Sequence, residues 1–268
     1  MSEGLNTEAR RADLARINDA LLRAGDVLRN FPMGATRAER KGLNDIVTAA
    51  DHAVNELLLK ILPQAGDGWV SEETADDPSR LEKSRVWIVD PLDGTREFVE
   101  GVPEWCVSIG LVENGRAVAG GILNPETNEL FLGSVETGIT LNGRPASIRT
   151  NGAMDEMLVL ASRSEVKRGE WDAFRQAPFR VNPVGSVAYK LAVVAAGGAD
   201  ATWTLTPKNE WDLAGGVALV RAAGGIVRTL EGKEPLFNRP KLLLDGLLAF
   251  SAASAETLVS YLKRHQHL

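Results

Sequence analysis

A chain of 268 residues that is 44% hydrophobic and 25% charged has the composition of a soluble globular protein with ample core, arranged as one domain or two. A net charge of −6 argues against a broad DNA- or RNA-binding surface, and the single cysteine, Cys106, excludes an internal disulfide. The three histidines, His52, His265 and His267, lack metal-ligand spacing, so no zinc site is expected.

The first periodic stretch, Leu14, Ile17, Leu21, Leu22, Val27 and Leu28, has helical spacing but many charges. It is neither a secretion signal nor a membrane span, and a cytoplasmic protein is expected. The segment Asp45-Ile46-Val47-Thr48-Ala49-Ala50-Asp51 precedes a helix marked by Ala53, Val54, Leu57, Leu58, Ile61 and Leu62 and closed by Pro63. Thr48 and Asp51 match a capping box, so locally Asp51 needs no role beyond satisfying a backbone donor. The short apolar piece Gly68 to Ser71 then leads to Glu72-Glu73, an adjacent pair that by itself reads as solvated.

Next comes Val86-Trp87-Ile88-Val89-Asp90-Pro91-Leu92-Asp93-Gly94-Thr95, an inner strand running into two carboxylates. Pro91 cannot donate to a ladder, so pairing is expected to stop there and leave both aspartates at the strand end, where α/β proteins place ligands. Two carboxylates held close together repel unless a cation lies between them, and an oxygen-only donor set favours Mg2+. Gly94 allows close backbone approach to an anion, and a helix beginning near Thr95 would turn its free N–H groups toward a phosphate. The plain alternative is an ordinary strand-to-helix turn.

From Trp105 to Ile148, Gly- and Asn-punctuated strands read as a meander, with Cys106 a buried small hydrophobe. A boundary is expected near residues 150–156, dividing the chain into halves of 1–152 and 153–268. Beyond it strand and helix alternate: Met157 to Ala161, Val187 to Ala196, Ala201 to Trp203, Trp211 to Ala223, Gly225 to Arg228 and Leu247 to Phe250. Glu210-Trp211-Asp212 opens a small-residue helix that should pack closely on a neighbour, with Asp212 as its default N-cap.

Taken in order, these elements resemble the inositol monophosphatase family. The resemblance rests on Asp45 to Asp51, Glu72-Glu73, Asp90-Pro91-Leu92-Asp93-Gly94-Thr95 and Trp211-Asp212-Leu213-Ala214-Gly215-Gly216, and covers about residues 41 to 225. It implies a five-layered α/β/α/β/α sandwich of the inositol monophosphatase and fructose-1,6-bisphosphatase type. An N-terminal α+β half (1–152) would carry most metal ligands, and a C-terminal α/β half (153–268) would complete the site between them.

Carried onto this chain, the resemblance makes Glu72, Asp90, Asp93, Asp212 and the Leu92 carbonyl ligands of two or three Mg2+ ions, with Asp90 bridging. Such a pair of ions clamps the attacking and leaving oxygens of an in-line displacement at phosphorus. Glu72 and Thr95 would orient the attacking water with Asp51 behind Thr95, and the Gly94 and Thr95 N–H groups would hold the phosphate of a small ester. Lys41 and Asp45 lie near family positions close to the metal. Lithium sensitivity and a homodimer also follow by resemblance.

For substrate, Arg96-Glu97-Phe98 is similar to the continuation found in the 3′(2′),5′-bisphosphate nucleotidase branch, and Lys190 stands where those relatives tend to carry lysine. Adenosine 3′,5′-bisphosphate is therefore expected, with Arg96 and Lys190 answering its charge; either could instead be an exposed surface residue. In inositol-type relatives an acid at the position of Glu210 contacts sugar hydroxyls, which favours inositol 1-phosphate or another polyol phosphate, yet here it could equally contact a ribose or nothing. Haloacid-dehalogenase-like chemistry is disfavoured because two residues, not one, separate Asp90 from Asp93. A phosphate-binding protein without turnover would be expected to lack a metal carboxylate, and none of the matched positions lacks one.

Overall fold

The computed structural model describes residues 2–40, 46–150 and 152–265. Helix α1 (Ser2–Leu28) and helix α2 (Ala49–Ile61) form an outer layer, with the strand pair β1 (Ala38–Arg40) and β2 (Ile46–Thr48) leading into α2. Beneath them lies a seven-stranded sheet in chain order: β3 (Gly68–Ser71), β4 (Arg85–Asp93), β5 (Cys106–Glu113), β6 (Arg116–Asn124), β7 (Glu129–Ser134), β8 (Gly138–Leu141) and β9 (Arg144–Ala146). The short helix α3 (Thr95–Glu100) links β4 to β5. Strand β3 runs parallel to β4 and the remaining neighbours are antiparallel, the expected meander. Asn114-Gly115 and Asn142-Gly143, all at positive φ, close two of its hairpins, because paired left-handed residues match the twist of the flanking strands.

The second sheet contains β10 (Leu158–Ser162), β11 (Arg180–Val184), β12 (Ala201–Thr204), β14 (Ile226–Thr229) and β16 (Leu247–Phe250), in the order β11-β10-β12-β16-β14. Strands β13 (Lys208–Asn209) and β15 (Leu243–Leu244) pair separately. The helices of this half are α4 (Arg163–Lys167), α5 (Val187–Ala195), α6 (Glu210–Ala222) and α7 (Ala255–Arg264). Among the described residues no helix is long and apolar enough to cross a membrane.

Side-chain alternation sorts these elements into five layers. In β4, Trp87 and Val89 pack with α1 and α2, while Val86 and Ile88 face α5 and α6. In the second sheet, Leu160, Leu247 and Ala249 join that same α5–α6 core, whereas Val159, Ala161, Leu248 and Phe250 face Trp171, Phe174 and α7. The result is the expected α/β/α/β/α sandwich, with α5 and α6 between the sheets.

Helix α6 approaches the first sheet more closely than ordinary side chains permit. A Cβ at Gly120 would lie 2.5 Å from the Gly215 carbonyl oxygen, and one at Gly110 2.7 Å from the Ala214 Cβ. Glycines on the strands and Ala214, Gly215 and Ala218 on the helix make this contact, the close packing expected of a small-residue helix. It sets the height of the helix N-terminus above the sheet.

Candidate active site

Strand β4 does not stop at Pro91. It pairs with β5 as far as Asp90 opposite Ser108, shifts register, and pairs again at Asp93 opposite Cys106. This corrects the expected end of pairing: a bulge absorbs the missing donor of Pro91 and redirects the flanking side chains. Inside it the Leu92 N–H donates to Asp90 Oδ1 at 3.0 Å. Gly94 follows at φ 97°, and a Cβ there would sit 3.0 Å from the Glu104 carbonyl oxygen, so glycine is required on both counts. Thr95 then opens α3.

The parallel pairing of β3 and β4 brings Glu72, just past β3, to the same sheet edge as Asp90, and α6 brings in Asp212. One carboxylate oxygen from each of Glu72, Asp90 and Asp212 lies within 4.8 Å of the others. Burial pushes the Asp90 carboxyl well above the usual range, and Glu72, Asp93 and Asp212 add to the shift. Three carboxylates converging on one point form an all-oxygen donor set, and a hard divalent cation between them relieves both repulsion and desolvation. The residues therefore fit such an ion. Asp212 is not the N-cap: Asn209 takes that place, and Asp212 at the third helical position accepts from the Asn209 N–H at 3.0 Å.

Asp51 makes both sets of contacts considered for it. Its Oδ2 accepts from the Thr48 N–H at 2.8 Å and the Thr48 hydroxyl at 2.7 Å, while the Thr95 hydroxyl lies 3.2 Å from its Oδ1 and 3.0 Å from the Leu92 carbonyl. The capping box that starts α2 thus also holds Thr95. Burial raises the Asp51 pKa against the hydrogen bonds from Thr48, and the charge of Glu73 adds to the rise. Asp93 turns its Oδ2 to the Ser186 hydroxyl and the Ala188 N–H, each at 2.6 Å.

Glu72, Asp90, Leu92, Asp93, Gly94, Thr95, Arg96 and Asp212 line one cleft of about 1100 Å³. Lys190 lines it too, and the structure corrects its reading as an exposed surface residue. It is 1% exposed, and its Nζ donates to the carbonyls of Ser186 at 2.7 Å and Val184 at 3.3 Å. Burial lowers its pKa to about 8, with Asp93 opposing the shift. Glu210 requires a further correction. It is fully buried and accepts from the N–H groups of Asn238 at 2.6 Å and Arg239 at 3.1 Å, away from the cleft lining. Lys41 and Asp45 lie outside the described residues.

Several cleft residues escaped the sequence reading. Ser186 is the N-cap of α5, signalled only by a serine ahead of an apolar helix. Arg163 and Lys167 come from the short α4, Arg168 from its C-cap and Lys208 from the two-residue β13, where single charges carry no pattern. Arg163 pairs with Glu104, Arg168 with Glu170 and Lys208 with Glu165.

The inositol monophosphatase family profile matches residues 12–267. Inositol monophosphatase 3 of Solanum lycopersicum is 34% identical over 229 residues, covering 81% of this chain and 85% of that protein. Inositol-1-monophosphatase of Mesorhizobium japonicum is 33% identical, covering 86% and 90%. Among solved structures, the Thermotoga maritima IMPase superposes with a TM-score of 0.82 at 25% identity over 96% of this chain and 98% of that one. CysQ from Bacteroides thetaiotaomicron, described as a bacterial member of the same family, superposes with 0.75 at 29% identity over 90% and 97%. The chain belongs to the inositol monophosphatase family and is a phosphatase.

Proposed function

We propose that this phosphatase is a Mg2+-dependent phosphomonoester hydrolase acting on a small doubly phosphorylated metabolite, with adenosine 3′,5′-bisphosphate its best substrate. The observation that carries the hydrolase reading is the meeting, in one cleft, of the Glu72, Asp90 and Asp212 carboxylates with a Thr95 hydroxyl held beside Asp51. These three carboxylates, Asp93 and the Leu92 carbonyl would hold Mg2+, which would supply the positive charge that lets an acidic pocket accept a phosphate ester and would make bound water more nucleophilic. With its proton directed to Asp51 or the Leu92 carbonyl, the Thr95 oxygen is left as an acceptor toward the cleft. That polarity lets Thr95 and Glu72 accept the protons of the attacking water and aim its lone pair. The N–H groups of Gly94 and Thr95 hold phosphate oxygens, and attack is by water without a phosphoenzyme.

Substrate preference rests on the cations around the cleft. Arg96 and Lys167 line it in addition to the carboxylates, beside Arg163, Arg168 and Lys208, which are paired with Glu104, Glu170 and Glu165, and this cationic rim would answer a second phosphate beyond the one engaged by metal. The names of the relatives favour a second reading, inositol 1-phosphate. The test is phosphate release from both substrates, side by side, with Mg2+ and with chelator. Chelator should stop both reactions, and the nucleotide should win by at least tenfold in kcat/KM, about 1.4 kcal/mol in transition-state preference. An advantage for inositol 1-phosphate overturns the substrate assignment, and undiminished release in chelator overturns the metal assignment.

A further inference from the structure

The hydrolase reading gives Lys190 no task, yet burying an ammonium is costly unless it is paired. Its two acceptors, the carbonyls of Val184 and Ser186, bracket the turn that enters α5. Ser186 sits there at φ 53° and ψ 127°, a strained positive-φ conformation that residues other than glycine rarely adopt. The turn is also fixed from outside, because the Gly185 N–H donates to Glu104 Oε2 at 2.6 Å and Glu104 is paired with Arg163. In this conformation, and through the N–H one residue into α5, the turn delivers the Ser186 hydroxyl and the Ala188 N–H to a single oxygen of Asp93. Two short donors saturate Oδ2 and fix the plane of the carboxylate, leaving Oδ1 as the oxygen available to a cation.

We propose that Lys190 is a positioning residue for the metal centre: it clamps the Val184 and Ser186 carbonyls, holds Ser186 in its positive-φ conformation and so sets the orientation of the Asp93 carboxylate. This rests on the assignment of Asp93 as a Mg2+ ligand. The geometry replaces a lysine that answers a substrate phosphate with one that acts two bonds away, through backbone. Mg2+ tolerates little departure from octahedral geometry, so a misaimed carboxylate weakens binding even when the net charge of the site is nearly unchanged.

The test uses Lys190→Met, which keeps the aliphatic stem and removes the donors, and Lys190→Gln, which keeps two N–H donors without charge. Mg2+ binding is measured by calorimetry and by the Mg2+-induced rise in Tm, alongside kcat and KM for adenosine 3′,5′-bisphosphate and inositol 1-phosphate. The expected result is at least tenfold weaker Mg2+ binding in Lys190→Met, an equal rise in Mg2+ requirement with both substrates, kcat within threefold at saturating Mg2+, and partial recovery in Lys190→Gln. A lower Tm with wild-type Mg2+ affinity makes Lys190 a packing residue and overturns the proposal. A KM increase confined to the bisphosphate makes it a substrate contact and also overturns it. Should Lys190→Met fail to fold, wild-type Mg2+ affinity in both Lys190→Gln and Ser186→Ala has the same force. Absence of Mg2+ binding by the wild type overturns the metal-dependent reading itself, and this inference with it.

Discussion

Substituting Gly110 with alanine should damage the metal centre from a distance through the seam between α6 and the first sheet. The added Cβ would lie 2.7 Å from the Ala214 Cβ and 2.8 Å from the Ala214 carbonyl carbon and the Gly215 nitrogen, where ordinary contact begins at 3.4 Å. Two of these three are backbone atoms that no rotamer change moves, so helix and strand must part by about 0.6–0.7 Å. Overpacking of this kind costs about 1–3 kcal/mol, and three simultaneous contacts place Gly110→Ala near the upper end. Asp212 lies two residues before Ala214 on the same helix, so the displacement carries its carboxylate away from Asp90 and Glu72. Half-saturating Mg2+ should then rise at least tenfold, about 1.4 kcal/mol. Gly133→Ala is the control. Its Cβ would meet the Gly138 carbonyl oxygen at 2.7 Å, in the β7–β8 pair, and should destabilise without touching the carboxylates. Denaturant unfolding in chelator gives the stability of both variants, and Mg2+ titration of phosphate release gives the metal requirement. Equal Mg2+ requirements in the two variants, at matched destabilisation, would refute the seam as a positioning device.

Asp90→Asn should abolish turnover while raising Tm in chelator, because it removes a buried carboxylate that its neighbours repel yet keeps an acceptor for the Leu92 N–H; residual activity near wild type, or a lower Tm, contradicts this. Ser108 Oγ is buried without a hydrogen-bond partner, so Ser108→Ala should leave stability unchanged or raise it by about 1 kcal/mol, and a loss of that size in denaturant unfolding would contradict the prediction. Burial pushes the Glu210 carboxyl up to about 7, from 4.5 when unfolded. The folded protein thus holds this proton more tightly, and the stability from its protonation is complete below pH 4.5 and lost as pH rises through about 7. The loss is on the order of 3 kcal/mol. Unfolding of wild type and Glu210→Gln in chelator from pH 5 to 8 should show stability declining more steeply in the wild type, and parallel profiles would refute the burial argument.

The layers were legible because strand alternation and helical spacing report which face each residue buries. Val86 and Ile88 against Trp87 and Val89 already separate two cores, and the small residues of α6 announce a close seam. The carboxylate trio was legible only through the ordered family pattern: singly, Glu72 reads as solvated and Asp212 as an N-cap, and the resemblance joins them to Asp90. Strand β11 was hidden by Pro183, which demotes a short run at a sheet edge. Lys190 and Glu210 were misread because the sequence shows the charge a residue carries but not the backbone it meets. Both lie on helices at positions where a solvent-facing or cleft-facing direction is equally compatible with the spacing. What decides is a loop distant in sequence for Glu210, at Asn238 and Arg239, and a positive-φ serine for Lys190. A charged group buried against backbone works on the site through the chain it holds, so its influence appears in where Asp93 and α6 stand rather than in what the group itself touches.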